Sequence, residues 1–227
     1  MEKGAGQMDK DRMVPVPSNA IIPERDLDKT PILETHHLGI DFGGLTAVDE
    51  LSLTVGRTEI SGLIGPNGAG KTTVFNLLTN VYSPTRGTIM LDGVSTAKKT
   101  TAQVTRMGIA RTFQNIRLFS NMSVVDNVKV GLHNSIHQPL VASITRLFGY
   151  RKSEKQSKNE AMELLDFFHM ADLAERQAGS LPYGAQRRLE IARALATHPG
   201  IILLDEPAAG MNPSETAELM ENIRRIR

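Results

Sequence analysis

The stretch Gly65-Pro66-Asn67-Gly68-Ala69-Gly70-Lys71-Thr72-Thr73 stands between an apolar run, Ile60 to Ile64, and a run that reads as a helix, Val74 to Leu78. It fits the pattern G-x-x-x-x-G-K-[ST]. Glycines let the backbone turn tightly enough for successive N–H groups to face one centre, and the helix that follows adds the positive end of its dipole. Such a loop is built to hold a polyphosphate. Lys71 would reach the outer phosphates as a point charge, and Thr72 would place a hydroxyl on the magnesium ion that bridges them. The alternative, a glycine-rich turn before a helix, does not explain the Lys-Thr pair in the required place.

The rest of the chain sets the limits around that loop. At 227 residues it has room for one large α/β domain carrying an inserted subdomain. With 26 Lys and Arg against 25 Asp and Glu, the net charge of +1 argues against a nucleic-acid partner. No cysteine is present, which excludes disulfide frameworks, thiolate metal sites and a cysteine nucleophile. No apolar run approaches the ~18 residues of a membrane span, so any membrane role runs through a partner.

Taken in order, residues 1–30 mix charges, Met, Gly and three prolines without a period and read as a flexible extension. Ile32 to Ile40 and Leu51 to Val55 carry strand-like alternation on either side of Gly43-Gly44, and Glu59 to Ile64 reads as the strand feeding the phosphate loop. Phe42 has two readings of equal weight: an aromatic that stacks on a nucleotide base, or a core residue ending a strand. Gly87 to Leu91 reads as a further strand before the Asp92-Gly93 turn.

From about residue 115 to 180 the texture is helical. Ser123 reads as the N-cap of Val124 to Leu132, Leu140, Ile144, Leu147 and Phe148 form a stripe, and Glu160 to Met170 is amphipathic. Arg151, Lys152, Lys155 and Lys158 read as a solvated basic stretch. Afterwards α/β texture returns. A helix is expected from Arg187 to about Thr197, ended by Pro199-Gly200, and Ile201 to Leu204 reads as a buried strand ending in Asp205-Glu206-Pro207. Acids at the carboxyl end of such a strand sit where open α/β sheets place their ligands. Asp205 is expected to share magnesium with Thr72, and Glu206 to act as the general base that polarises a water for attack on the terminal phosphate.

The phosphate loop, Gln114, the segment Leu181-Pro182-Tyr183-Gly184-Ala185-Gln186-Arg187-Arg188 and Ile201 to Glu206 follow one another in the order seen in ATP-binding subunits of ABC transporters. The chain resembles that family over about residues 32 to 227. Phe42-Gly43-Gly44-Leu45, Tyr183-Gly184 with Gln186 to Arg193, and Asp205-Glu206-Pro207-Ala208-Ala209-Gly210 with Asn212-Pro213 are similar to the branched-chain amino-acid (Liv-type) importers. The resemblance implies a P-loop NTPase (RecA-like) α/β core, an N-terminal antiparallel β-subdomain and an inserted α-helical subdomain at about 115–180 within a cassette at 31–227. It also implies ATP and Mg2+ as cofactors. Phe42 would stack on the base. Gly65, Pro66, Asn67, Gly68, Ala69, Gly70, Lys71, Thr72 and Thr73 would hold the phosphates. Thr72, Gln114 and Asp205 would hold the metal, with Glu206, Gln114 and Lys71 catalytic.

Leu181 to Ala185 would be the signature loop, in which Gly184 covers the γ-phosphate bound by a second ATPase subunit, either a copy of this chain or a similar partner. Transmembrane permease subunits are the other implied partners. The location implied is cytoplasmic, peripheral on the inner face of the cell membrane. Two departures qualify the match. Of the signature Leu-Ser-Gly-Gly-Gln only Leu181 and Gly184 are kept, so phosphate contact would rest on backbone N–H groups. Family members also carry a switch histidine one strand beyond the catalytic Glu, whereas all six histidines here precede Glu206. The expectation is therefore a fragment whose last strand is missing, with weak ATP binding and slow turnover. Competing expectations are a binding-only nucleotide module and an ABC ATPase for another cargo, such as lipopolysaccharide export.

Overall fold

The fold is taken from a computed structural model that describes residues 31–132 and 148–226, with side chains given from 154 onward in the second stretch. The expectations for residues 1–30 and for Leu140, Ile144, Leu147, Arg151 and Lys152 lie outside what is described.

Gly43 and Gly44 hold φ of 55° and 89°, the left-handed pair that a two-residue hairpin turn needs. They join β1 (Pro31–Phe42) to β2 (Leu45–Gly56). Because so short a turn sets pairing at once, Leu45 already faces Phe42, and β2 starts six residues before the apolar run at Leu51. On its other side β1 pairs with β3 (Arg86–Leu91), which turns through Asp92-Gly93 into β4 (Val94–Ser95). The result is an antiparallel sheet ordered β2-β1-β3-β4. Leu33, Leu38, Ile40, Ile89 and Leu91 point from it into a core shared with Val74 and Leu77 of α1 (Lys71–Leu78). Each such side chain fully buried contributes ~1.5–3 kcal/mol.

α2 (Thr101–Arg106), fastened by a capping box between Thr100 and Gln103, leads into β5 (Ile109–Arg111). β5 pairs in parallel with β6 (Ile201–Leu203), register Ile109 to Ile201 and Arg111 to Leu203. Between those strands the chain runs through α3 (Val124–Leu132), α4 (Phe148–Phe167) and α5 (Tyr183–Leu195). Their inward faces, with Val128, Leu132, Leu165, Leu189 and Ile191, form a second core together with Phe168 just past α4. β6 is the wall between the two cores, since strand side chains alternate. Leu203 joins the first core while Ile202 and Leu204 pack on the second. α6 (Pro213–Ile226) closes the second core with Leu219 and Ile226.

Three expectations are corrected. Glu59 to Ile64 forms no strand, and Ile60, Leu63 and Ile64 are exposed. A strand exists only against a neighbour, and among the described residues none forms a ladder with this run. Instead Glu59 folds back on the preceding turn, its carboxylate accepting from the Gly56 N–H at 2.8 Å. β6 stops at Leu203, and Ile201 and Ile202 are only partly buried, because β5 covers one edge alone among the described strands. α5 begins at Tyr183, four residues before Arg187, since Pro182 with extended ψ sits at its N-cap. Ser123 caps α3 as expected, accepting from the Asp126 N–H at 3.1 Å.

Candidate functional site

Gly68 and Gly70 hold φ of 83° and 82°, so the loop before α1 curls through conformations that side chains resist. Gly70 is the N-cap of α1. A Cβ there would come within 2.5 Å of the Ala47 carbonyl oxygen, so any other residue would push the loop away from β2. The first turn of α1 holds no acidic residue, which leaves the positive end of the helix dipole for an external anion. Lys71 closes the loop on itself: its ammonium donates to the carbonyls of Gly65 at 2.7 Å and Pro66 at 2.9 Å. Thr72 is exposed and Thr73 partly buried beside it.

The acid pair lies at the end of β6, and its two members have different surroundings. Asp205 is buried, and its Oδ2 accepts from Arg111 Nη2 at 3.2 Å. Arg111 also donates through Nη1 to Asn76 Oδ1 on α1 at 2.7 Å, and its guanidinium lies 5.5 Å and 5.1 Å from the ring centres of Phe75 and Phe113. One cation thus ties the phosphate-loop helix, β5 and the Asp205 carboxylate together. Glu206 is exposed and sits at φ 47°, a left-handed conformation that is costly for a residue with a Cβ. Its Oε2 accepts from Gln114 Nε2 at 3.3 Å.

Two further expected residues stand apart. Phe42 is 44% exposed and packs edge-to-face on Tyr82 at 5.3 Å. That exposure does not fit the core reading. Gly184 lies in the first turn of α5, buried against the Glu215 carboxylate of α6. Neither is hydrogen-bonded to the loop or to the acids in the described structure.

Reasoning from sequence passed over Arg111, and also Arg187 and Glu190 of α5. These last two form an ion pair at 2.9 Å that is almost wholly buried. Arg111 ends an apolar strand, and Arg187 and Glu190 interrupt an Ala/Leu/Ile helix at i, i+3. A charge placed where the pattern asks for an apolar residue is the signal that could have found them.

Among the described residues no group of three or more His, Cys, Asp or Glu could hold a metal. The donors expected for Mg2+ are all oxygens: the Thr72 hydroxyl, the Asp205 carboxylate and the Gln114 amide oxygen. That set suits a hard cation. The Gln114 amide nitrogen faces Glu206, which leaves its oxygen as a ligand, so the residues fit the ion.

A self-closed glycine loop opening a helix, with an acid pair beyond a strand end tied to that helix through Arg111, makes this a P-loop nucleotide triphosphatase. The family described as ABC transporter matches residues 48–209. The "High-affinity branched-chain amino acid transport ATP-binding protein BraF" of Pseudomonas aeruginosa is 45% identical over 197 residues, covering 87% of this chain and 77% of its own. The protein of the same description named LivG, from Escherichia coli K12, is 45% identical with the same coverage. An ATP-binding cassette of an ABC transporter, solved in its ADP conformation, superposes with a TM-score of 0.73 at 30% identity, over 86% of this chain and 76% of that one. The chain belongs to the ATP-binding proteins of the ABC transporter family. No described helix is long and apolar enough to cross a membrane.

Proposed function

We propose that this chain is the ATP-hydrolysing subunit of an importer for branched-chain or related amino acids. The observation that carries the catalytic part is the contact between Gln114 and Glu206 at 3.3 Å. It brings the Glu206 carboxylate and the Gln114 amide together just beyond the end of β6, beside the buried Asp205. The cargo is supported by the likeness to BraF and LivG.

In this reading ATP lies with its base on Phe42 and its phosphates in the cradle from Gly65 to Thr73. Lys71 gives up its two carbonyl partners to reach the outer phosphates. Thr72, Asp205 and Gln114 hold Mg2+, which supplies charge neutralisation on the phosphates. Glu206, with Gln114 fixing its carboxylate, takes the proton of the attacking water. The helix start at Gly184, covered by the Glu215 carboxylate here, meets the ATP held by a second ATPase subunit once Glu215 has moved off it. Residues 31–227 form the cassette, with the helical part at about 115–180. Binding of ATP closes the two subunits head to tail, hydrolysis resets them, and permease subunits on the inner face of the membrane receive the motion.

The test is uptake of labelled leucine, isoleucine and valine into vesicles carrying the chain with its membrane subunits. ATP-dependent uptake is expected. ATP turnover without uptake of any of the three would reject the cargo, and absence of ATP-dependent turnover would reject the enzyme.

A further inference from the structure

Arg187 stands about one turn along α5 from Gly184 and Glu190 one turn further, and their side chains are 0% and 2% exposed. Arg187 Nη1 donates to the Phe113 carbonyl at 2.6 Å and to Glu190 Oε2 at 2.9 Å, and Nη2 donates to the Gln114 carbonyl at 2.9 Å. Glu190 Oε1 accepts from the Arg117 N–H at 3.2 Å. A single helical turn thereby grips the main chain of residues 113–117 at three points. The Gln114 side chain, leaving that same gripped residue, ends on Glu206. Both helix and guanidinium fork are stiff. A movement of the helix start at Gly184 therefore reaches the Gln114 backbone over about 4.5 Å of helix rise.

We propose that Arg187 and Glu190 are positioning residues that transmit the state of the Gly184 helix start to Gln114, and so make the spacing of Gln114 and Glu206 depend on the nucleotide held by the second subunit. The inference rests on the reading of Gly184 given above. A buried ion pair is not the cheapest way to hold a helix in a core, because apolar residues of like volume often serve as well or better. What the pair adds is directional hold on three backbone groups that an apolar contact lacks. Its cost is highest where its geometry is most specific: Arg187 Nε is buried without a partner, while both Nη groups are committed to the Gln114 loop and Glu190.

The test compares the full chain, assembled with its second subunit, with R187M/E190M, in which both charges leave together and no buried charge is stranded. Thermal melting, nucleotide affinity, ATP turnover and amide exchange of residues 113–117 with and without ATP are measured on each. The double variant is expected to melt close to the parent and to bind nucleotide within about twofold, since the phosphate loop is untouched. Its turnover is expected to fall about tenfold to a hundredfold, the range for catalytic groups misplaced by about an ångström. The ATP-dependent change in exchange at 113–117 should vanish. A purely structural pair would show turnover falling only together with the melting temperature; that outcome, or turnover and exchange within twofold of the parent, would overturn the proposal. Should the double variant fail to fold, R187K, which keeps the cation but not the fork, is scored by the same two readouts. If the parent itself does not dimerise on adding ATP, the head-to-tail reading of Gly184 is what has failed.

Discussion

Asp205 and Glu206 are adjacent in the chain and opposite in surroundings. The first is buried, paired to Arg111 and bound through it to α1; the second is exposed, in a left-handed backbone conformation, and touched by one amide. A buried carboxylate with a cation beside it is held in place by the fold, and removing either partner strands the other. An exposed carboxylate in a strained turn is held for something outside the chain. On the function proposed above, the difference separates the part of the site that organises from the part that reacts.

The largest effect should come from the reacting side. Glu206→Gln should lower ATP turnover by about a hundredfold to ten-thousandfold, the usual contribution of a positioned base. Nucleotide affinity measured by fluorescence titration should stay near the parent value. An equal loss of both would put Glu206 among the binding groups instead. On the organising side, Arg111→Met should destabilise the fold by about 3–5 kcal/mol in a urea titration, because Asp205 would remain buried without its cation. A change under about 1 kcal/mol, the worth of an exposed pair, would make Arg111 a surface residue in energetic terms.

The contrast sharpens with Glu206→Gly. Relief of the left-handed strain, less the entropy that glycine adds to the unfolded chain, should raise stability by about 0.5–1 kcal/mol while turnover is lost. A carboxylate of a third kind gives the smallest effect. Asp126, in the first turn of α3, is held below the ordinary carboxyl value of 3.8, chiefly by the Ser123 hydroxyl that donates to it at 2.7 Å and then by Lys129. A depressed folded-state pKa contributes stability above the ordinary value and loses it as pH falls through the depressed one. Parent and D126N should therefore differ slightly at neutral pH and converge in melting temperature below about pH 4. Divergence on acidification would reverse the sign.

The phosphate loop was legible in the sequence because its function needs fixed residue types at fixed spacing, and local backbone geometry enforces both. Asp205 and Glu206 drew attention once that loop fixed what should stand near it, whereas Gln114 entered only through the family resemblance; the structure brings Gln114 and Glu206 into contact. Arg111 and the Arg187–Glu190 pair were not read, because the backbone and side-chain groups they hold lie up to 94 residues away in the chain; the one local sign was a charge standing where the pattern asks for an apolar residue. Ile60 to Ile64 misled for the converse reason. Apolar composition reports a preference for burial, but a strand requires a neighbour, and the described structure brings none to that run. The hairpin strands were found but cut short, because Thr46, Asp49 and Glu50 hide the strand that the Gly43-Gly44 turn sets going at Leu45.

The division between Asp205 and Glu206 is tested most directly by melting D205N and E206Q side by side without nucleotide. D205N, which leaves Arg111 buried and uncompensated, should melt lower than the parent by about 6 °C or more, as expected for several kcal/mol in a domain of this size. E206Q should melt within about 2 °C of the parent. Equal depression of both, or a D205N that melts with the parent, would contradict the division between an acid that the fold holds through Arg111 and an acid that the fold leaves exposed.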